Sequence, residues 1–413
     1  MQRLENTLVL LLLVIASKGN AIAVSDALLV VTFLLSAYIF RQKMTPIPRF
    51  LYWLVGGYAV LTGIYFLKFG EINFTSSMRF LLKMMTGVLS VLALGNYLFL
   101  RFERYMRFFA ATSLVFFSIQ LIDYSTLKQL VGLLEKVIPA LDYREDWYVN
   151  NFLFTLNDNA PTRNSGMAWE PKGYANLLLL ALIIQLLISK LKMNRYSYLY
   201  IVALLSTQST TALVVLATAI PAIFVYNAHL QYRVLALFGG LAVCALVFSL
   251  DIVGPKIQRE FEESEAHLIY IEAETDQKAI TLGRFGSWKL AMMDLPKNPL
   301  VGIGMQDKFR TEGEHTHLVY VNGLADYLSR FGILGMVFLG YCYVKSTRSL
   351  FQRYRVRGWF FFFITIISIF FASAIVINPL YFALQFFFLL PDTAKRPVKG
   401  LNVPKPGAAG AIV

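Results

Sequence analysis

Apolar stretches of about 20 residues recur along the whole chain, separated by short charged segments, which is the spacing that membrane-crossing helices require. The pattern predicts an all-α integral membrane protein of about twelve transmembrane helices. They fall at residues 6–23, 25–40, 50–67, 79–100, 106–123, 174–189, 196–207, 210–226, 234–251, 331–345, 358–376 and 379–391. Two longer polar segments interrupt this rhythm. The expected organisation is therefore N-terminal spans over 1–123, a first loop over 124–173, central spans over 174–251, a large loop over 252–330, C-terminal spans over 331–393 and a tail over 394–413.

Each loop opens with helical amphipathic periodicity. Leu127, Leu130, Leu134, Ile138 and Leu141 make an apolar stripe at three- and four-residue spacing, suited to the membrane surface. A weaker stripe, Ile257, Phe261, Leu268 and Ile271, runs through the acidic stretch 260–276. The first apolar run follows a basic start at Arg3 and closes on Ala21-Ile22-Ala23, a small-residue pattern of the kind signal peptidase cuts. It reads more simply as an uncleaved first span.

Composition sharpens this. Hydrophobic residues make up 57% of the 413 positions and charged residues 15%, more apolar surface than a water-soluble domain of this length can hide. The net charge of +13, from 38 basic against 25 acidic residues, would suggest nucleic acid only if the cations formed one patch. They instead collect in the short segments 41–49, 101–107, 190–195 and 345–357, with Arg233, and in the tail at Lys395, Arg396 and Lys399. That is the positive-inside pattern: it puts these segments and both termini on the cytoplasmic side and both long loops opposite. Cys244 and Cys342 lie in apolar spans, so no disulfide framework is implied.

The candidate chemistry sits on the two loops. The first ends in Arg163-Asn164-Ser165-Gly166-Met167-Ala168-Trp169-Glu170-Pro171-Lys172-Gly173, directly before a span. It sets the cations Arg163 and Lys172 beside the carboxylate Glu170. The second carries Gly283-Arg284-Phe285-Gly286-Ser287-Trp288-Lys289, then a glycine turn, Asn298-Pro299-Leu300-Val301-Gly302-Ile303-Gly304, then Glu314-His315-Thr316-His317. The His-x-His pair has no companion ligand at metal-binding spacing, and neither loop contains Asp-x-Asp, so neither a metal nor another cofactor is expected. Trp169, Trp288 and Tyr320 either stack on sugar faces or serve as interface anchors.

These motifs resemble those of bacterial O-antigen polymerases and O-antigen ligases. The shared pattern is an Arg with a Trp four residues on (Arg284, Trp288), a Pro-x-x-Gly-x-Gly turn (Pro299, Gly302, Gly304), a His (His315 or His317) and an aromatic-Gly-Ile-x-Gly helix start (Gly332, Gly335). The Arg163–Glu170–Pro171 segment and Thr207-Gln208-Ser209 look similar as well. The chain departs from the family in placing His317 about one helical turn farther from Gly332 and in carrying Thr210 where an arginine is frequent.

The resemblance implies a metal-independent, GT-C-like, inverting glycosyltransferase of the bacterial inner membrane. Its partners would be undecaprenyl-diphosphate-linked oligosaccharide and membrane lipids, with a chain-length regulator and a flippase alongside and no nucleic acid. Facing the periplasm, it would move a glycan from its lipid diphosphate to a hydroxyl of a second lipid-linked repeat. A ligase acting on the lipid A core or on protein, or a polysaccharide transporter, are the other readings. In this scheme Arg163, Arg284 and Lys289 bind the diphosphate, His317, His315 or Glu170 is the general base, and Trp288, Trp169 and Tyr320 hold sugar.

Overall fold

A computed structural model of the chain describes residues 1–43, 47–133, 137–138, 148–158, 160–227, 280–307, 309 and 318–390, with isolated positions at 238, 239, 242, 258 and 262. These residues are mostly helical. In order they form α1 (Gln2–Ser17), α2 (Ala21–Val24), α3 (Asp26–Gln42), α4 (Arg49–Phe69), α5 (Phe74–Leu94), α6 (Tyr97–Ile122) and α7 (Tyr124–Gly132). Next come α8 (Pro171–Ile188), α9 (Arg195–Ser206), α10 (Thr210–Ala217), α11 (Ala219–Asn227), α12 (Arg284–Asp294), α13 (Gly323–Tyr354), α14 (Trp359–Ala372) and α15 (Pro379–Gln385). Many starts carry a side-chain cap: Ser25, Asn73, Asp123, Asn194, Asn322 and Asn378 each accept from backbone N–H groups of the first turn.

The helical expectation holds with one qualification. Both loops contain short strands: β1 (Tyr148–Asn150) runs antiparallel to β2 (Thr155–Asn157), and β3 (Ile280–Leu282) runs parallel to β4 (Leu318–Tyr320). The amphipathic stripe of the first loop is helical only as far as Gly132. Leu127 is buried, but Leu130 is exposed, and Leu134 and Leu141 lie outside the described residues. The second stripe and most of the segment 234–251 also lie outside them.

Among the described residues, six helical segments are long and apolar enough to cross a membrane: Arg49–Phe69, Phe74–Leu94, Tyr97–Ile122, Pro171–Ile188, Thr210–Asn227 and Gly323–Tyr354. Two of them show why lipid is the solvent. α8 is apolar on every face and almost wholly buried, so it forms the centre of the bundle. α4 is equally apolar, with a mean hydropathy of 1.6, yet faces outward, leaving Trp53 79% and Leu67 86% exposed. An outer helix without a polar face is unstable in water and satisfied in hydrocarbon, because its backbone bonds are internal.

Polar side chains in the bundle separate its two ends. At one end Glu5 bridges Lys43 (2.7 Å) and Arg101 (2.5 Å), Glu103 pairs with Arg107 (2.8 Å), and Arg353 donates to Asn96 and the Leu390 carbonyl. Most of the basic segments gather there. At the other end Asn20 donates to Asn150, Asn378 donates to the Ile15 carbonyl, and Gln306 donates to the Glu71 carbonyl. Both long loops close over this second end.

Close helix approach depends on missing side chains. A Cβ on Gly87 of α5 would lie 2.5 Å from both Phe382 Cβ and the Pro379 carbonyl of α15. Small residues at such contacts let membrane helices pack without a hydrophobic driving force. Gly87→Ala should lower the thermal midpoint in detergent, at the overpacking cost of about 1–3 kcal/mol. An unchanged midpoint would mean that α15 shifts away freely.

Candidate functional site

The first loop turns back into the bundle through a segment held almost entirely by side chains. Asn164 is fully buried: its Nδ2 donates to Ser206 Oγ (2.9 Å) and Ser113 Oγ (3.3 Å), and its Oδ1 accepts from the Gly166 N–H (2.9 Å). Gly166 has φ +49 and packs directly on the ring of Tyr174, whose hydroxyl donates to Ser113 Oγ or the Phe109 carbonyl. A buried, satisfied polar network of this kind fixes one geometry. Arg163 is the adjoining residue, and it is held in turn. Its Nε donates to the Thr207 carbonyl (3.0 Å) and its Nη2 to the Gln208 carbonyl (3.3 Å) at the end of α9.

Eight residues after Arg163 the chain enters α8. Glu170 is its N-cap residue and makes no side-chain cap bond, while Pro171 supplies a first helical position that needs no N–H. Lys172 Nζ lies 3.3 Å from Glu170 Oε1. From the second loop, Arg284 occupies the first position of α12. Its backbone is anchored to the neighbouring helices: its carbonyl accepts from Asn322 Nδ2 (3.2 Å), Ser287 Oγ accepts from the Val321 N–H (3.2 Å), and Phe285 packs edge-on against Phe371 of α14.

These pieces meet. Arg163, Glu170, Pro171, Lys172, Ser209, Thr210 and Arg284 line one cavity of about 210 Å³. Three cations face one carboxylate, leaving a net charge of about +2 by formal count. The Arg163 guanidinium is pulled below its ordinary value by burial and by Arg284, while Glu170 acts the other way. An arginine starts so far above neutrality that it remains charged.

Backbone dipoles add to this field. Thr210, Pro171 and Arg284 each open a helix, and none of the three starts has a side-chain cap bond. Helix N-termini carry about half a positive charge and present unbonded N–H groups, which favours anions. Ser209 Oγ and Thr210 Oγ1 are buried in the lining and have no hydrogen-bond partner among the described residues. The cavity therefore offers cations, helix starts and two uncommitted hydroxyls to an anion.

The remaining candidates lie elsewhere. Lys289 is exposed and is not in the cavity wall. Trp288 is half-buried against Leu290, Ala291, Tyr320 and Ala325, and Tyr320 is buried with its hydroxyl donating to Asp294 Oδ2 (3.3 Å). Both are packed rather than presented. Trp169 is half-buried, its backbone N–H donating to the Ser17 carbonyl. His315 and His317 lie outside the described residues.

The glycine turn also differs from a phosphate loop. Ile333 N–H donates to the Pro299 carbonyl and Leu334 N–H to the Leu300 carbonyl, while Ile303 and Gly304 N–H groups donate to the carbonyls of Ser329 and Arg330. The turn thus closes the kink in α13 at Gly332 with backbone bonds in both directions. Ser209 and Thr210 were legible only as part of a resemblance; their signal was an uncapped short helix facing the loop that carries Arg163. No family model matches the chain, and comparison with curated proteins finds no match.

Proposed function

We propose that the protein is a glycosyltransferase of the bacterial inner membrane, drawing its donor from a polyprenyl-diphosphate-linked oligosaccharide and working on the periplasmic side. The observation that carries this reading is the union of Arg163 and Arg284, from separate loops, in one cavity with Lys172, Ser209 and Thr210. The basic segments at the opposite end support a periplasmic opening, since positive loops remain in the cytoplasm.

In this mechanism the diphosphate leaves as the acceptor hydroxyl attacks the anomeric carbon. The bond between that carbon and the phosphate oxygen breaks, and its electron pair goes to the diphosphate. A cavity with an excess of about two positive charges neutralises the charge as it develops, and pre-set donors do so without reorganisation. Guanidinium groups suit this role because they grip phosphate oxygens in pairs. The acceptor proton goes to a general base, for which Glu170 of the cavity, His315 and His317 are the candidates. The acceptor is taken as a second lipid-linked repeat, making the enzyme an O-antigen-type polymerase.

Deleting the gene and profiling surface glycan tests the reading. Single capped repeats without long chains are the expected outcome. Lipid-linked polymer with no transferred glycan would instead assign a ligase, and a substrate trapped in the cytoplasm would assign a transporter. The base is resolved by comparing Glu170→Gln, His315→Ala and His317→Ala in purified protein: one should lose activity with substrate binding intact. Removing both hydroxyls, as Ser209→Ala with Thr210→Val, should cost at least about tenfold in rate, since a hydrogen bond to a charged group contributes about 1.5–3 kcal/mol. An unchanged rate would remove these hydroxyls from the diphosphate site.

A further inference from the structure

A cavity of about 510 Å³ opens at the other, basic end of the bundle, where α11, the end of α13 and the turn into α14 meet. Its cations are Arg348, from the last turns of α13, and Arg357, from the turn; its aromatic wall is Tyr226 of α11 with Trp359, Phe360 and Phe361 of α14. The turn is clamped through its backbone. Asn227 Nδ2 donates to the Arg357 carbonyl (2.8 Å), Asn227 Oδ1 accepts from the Arg357 N–H (3.1 Å), and the Val356 N–H donates to the Phe351 carbonyl (3.1 Å). The backbone of Arg357 is thereby fixed, and its side chain is left to the cavity.

Several cations of this end are already engaged. Arg353, between the two in sequence, donates to Asn96 and the Leu390 carbonyl; Arg101 pairs with Glu5, Arg107 pairs with Glu103, and Lys345 lies 4.6 Å from the centre of the Tyr341 ring. The guanidinium groups of Arg348 and Arg357, by contrast, form no ion pair or hydrogen bond among the described residues, and no acidic residue lines their cavity. The facing wall is apolar and open: Tyr226 is 52% and Phe360 51% exposed, and Tyr226 meets Phe361 edge-on at 6.2 Å. Such rings rest at the boundary between head groups and hydrocarbon, where Trp and Tyr collect. From Trp359 at that level, α14 runs on as an apolar helix.

We infer that this cavity binds an anionic glycerophospholipid of the surrounding leaflet, its phosphate between Arg348 and Arg357 and its acyl chains against Tyr226 and Phe360. Two features select that ligand. Cations without a counter-charge call for an anion, and guanidinium groups grip phosphate oxygens in pairs. The aromatic wall calls for an apolar body attached to the anion, which free phosphate lacks and a phospholipid supplies. Under the orientation proposed above this end faces the cytoplasm, where basic pockets between membrane helices hold anionic head groups. The site does not depend on glycosyl transfer, yet it is joined to the first cavity: the helical segment Thr210–Asn227 carries Thr210 of that cavity at one end and Tyr226 of this one at the other. A lipid bound here braces that segment against α13 and α14.

The test is native mass spectrometry of the full-length protein in detergent, with phosphatidylglycerol and phosphatidylcholine of identical acyl chains added at equal concentration. The unaltered protein should hold phosphatidylglycerol about tenfold or more tightly than phosphatidylcholine, whose choline cancels the phosphate charge. Arg348→Gln with Arg357→Gln should abolish the preference, and Arg348→Lys with Arg357→Lys should restore part of it, since ammonium groups return the charge without the paired donors. Unchanged phosphatidylcholine binding and an unchanged thermal midpoint show that these variants are folded. Arg355→Gln with Lys192→Gln removes the same charge from exposed positions outside the cavity wall and should leave the preference intact. Equal affinity for both lipids on the unaltered protein, or a preference that survives without Arg348 and Arg357, would overturn the inference. So would a preference lost equally in the Arg355–Lys192 control, which would reflect general attraction of a basic surface for anionic lipid. Inorganic phosphate displacing phosphatidylglycerol at equal concentration would also overturn it, by assigning a free anion.

Discussion

Arg284→Ala should reduce glycan transfer by about 10²–10³-fold, the loss typical of removing one pre-set donor from a developing negative charge. The Arg284 backbone, which accepts from Asn322, is unaffected, and α12 remains docked through Ser287 and Phe285. Protein levels in the membrane should therefore match wild type. Arg284→Lys should recover only part of the activity, because an ammonium restores charge without the paired donors. Arg163→Ala should fall at least as far, but it also removes the bonds to the Thr207 and Gln208 carbonyls, so part of its effect is local loosening of the loop. Transfer is measured with purified protein and a lipid-diphosphate oligosaccharide, reading chain length on gels. Near-wild-type rates for Arg284→Ala would end the diphosphate role of this cavity.

The extent to which the sequence revealed this architecture varies by element, and the reason is charge. The span expected at 50–67 and α4 nearly coincide, because α4 is apolar throughout. The span expected at 106–123 begins much earlier, at Tyr97, since Arg101, Arg104 and Arg107 lie on the helix itself. Arg101 and Arg107 are paired with Glu5 and Glu103, and such partners are invisible in one dimension. The expected span at 331–345 is likewise only the middle of α13. Its first turns carry the Asp326–Arg330 pair, and its last turns run out through Lys345 to Arg353. The first run ends at Ser17 rather than near residue 23, because Lys18 turns left-handed and Asn20 caps a separate short helix.

The candidate site was legible in its charges and obscure in its packing. Arg163, Glu170, Lys172 and Arg284 stood out as ions beside turn residues, and the fold brings them together. Trp288 and Tyr320 read as interface anchors sooner than as sugar platforms, and only burial shows that they are packing residues. Lys83 sat unremarked within an apolar run. A single lysine in a span has no meaning until the neighbouring helices show what surrounds it, here a cavity shared with Lys18 and Asp26.

Gly332→Ala should be strongly destabilising. Gly332 interrupts α13 with φ 61 and ψ −163, a region essentially closed to other residues and costing them about 1–3 kcal/mol. Space is as restrictive as conformation: a Cβ there would stand 2.5 Å from the carbonyl carbon and oxygen of Leu300. That carbonyl cannot retreat, because it accepts from the Leu334 N–H, while the Tyr65 hydroxyl holds the next carbonyl, of Val301, at 2.5 Å. The two costs add, and several kcal/mol is a large share of a typical folding free energy. Gly340→Ala provides the control on the same helix. A Cβ at Gly340 meets nothing within 4 Å, and alanine is the better helix former by about 1 kcal/mol. Thermal unfolding in detergent should therefore show a sharply lowered midpoint for Gly332→Ala and an equal or raised one for Gly340→Ala. Activity should follow the first change as well, since the turn at Pro299–Gly304 lies just beyond α12 and supports the helix that presents Arg284. Equal midpoints for the two variants would mean that the kink is not held by its glycine, and that the Pro-x-x-Gly-x-Gly turn serves something other than architecture.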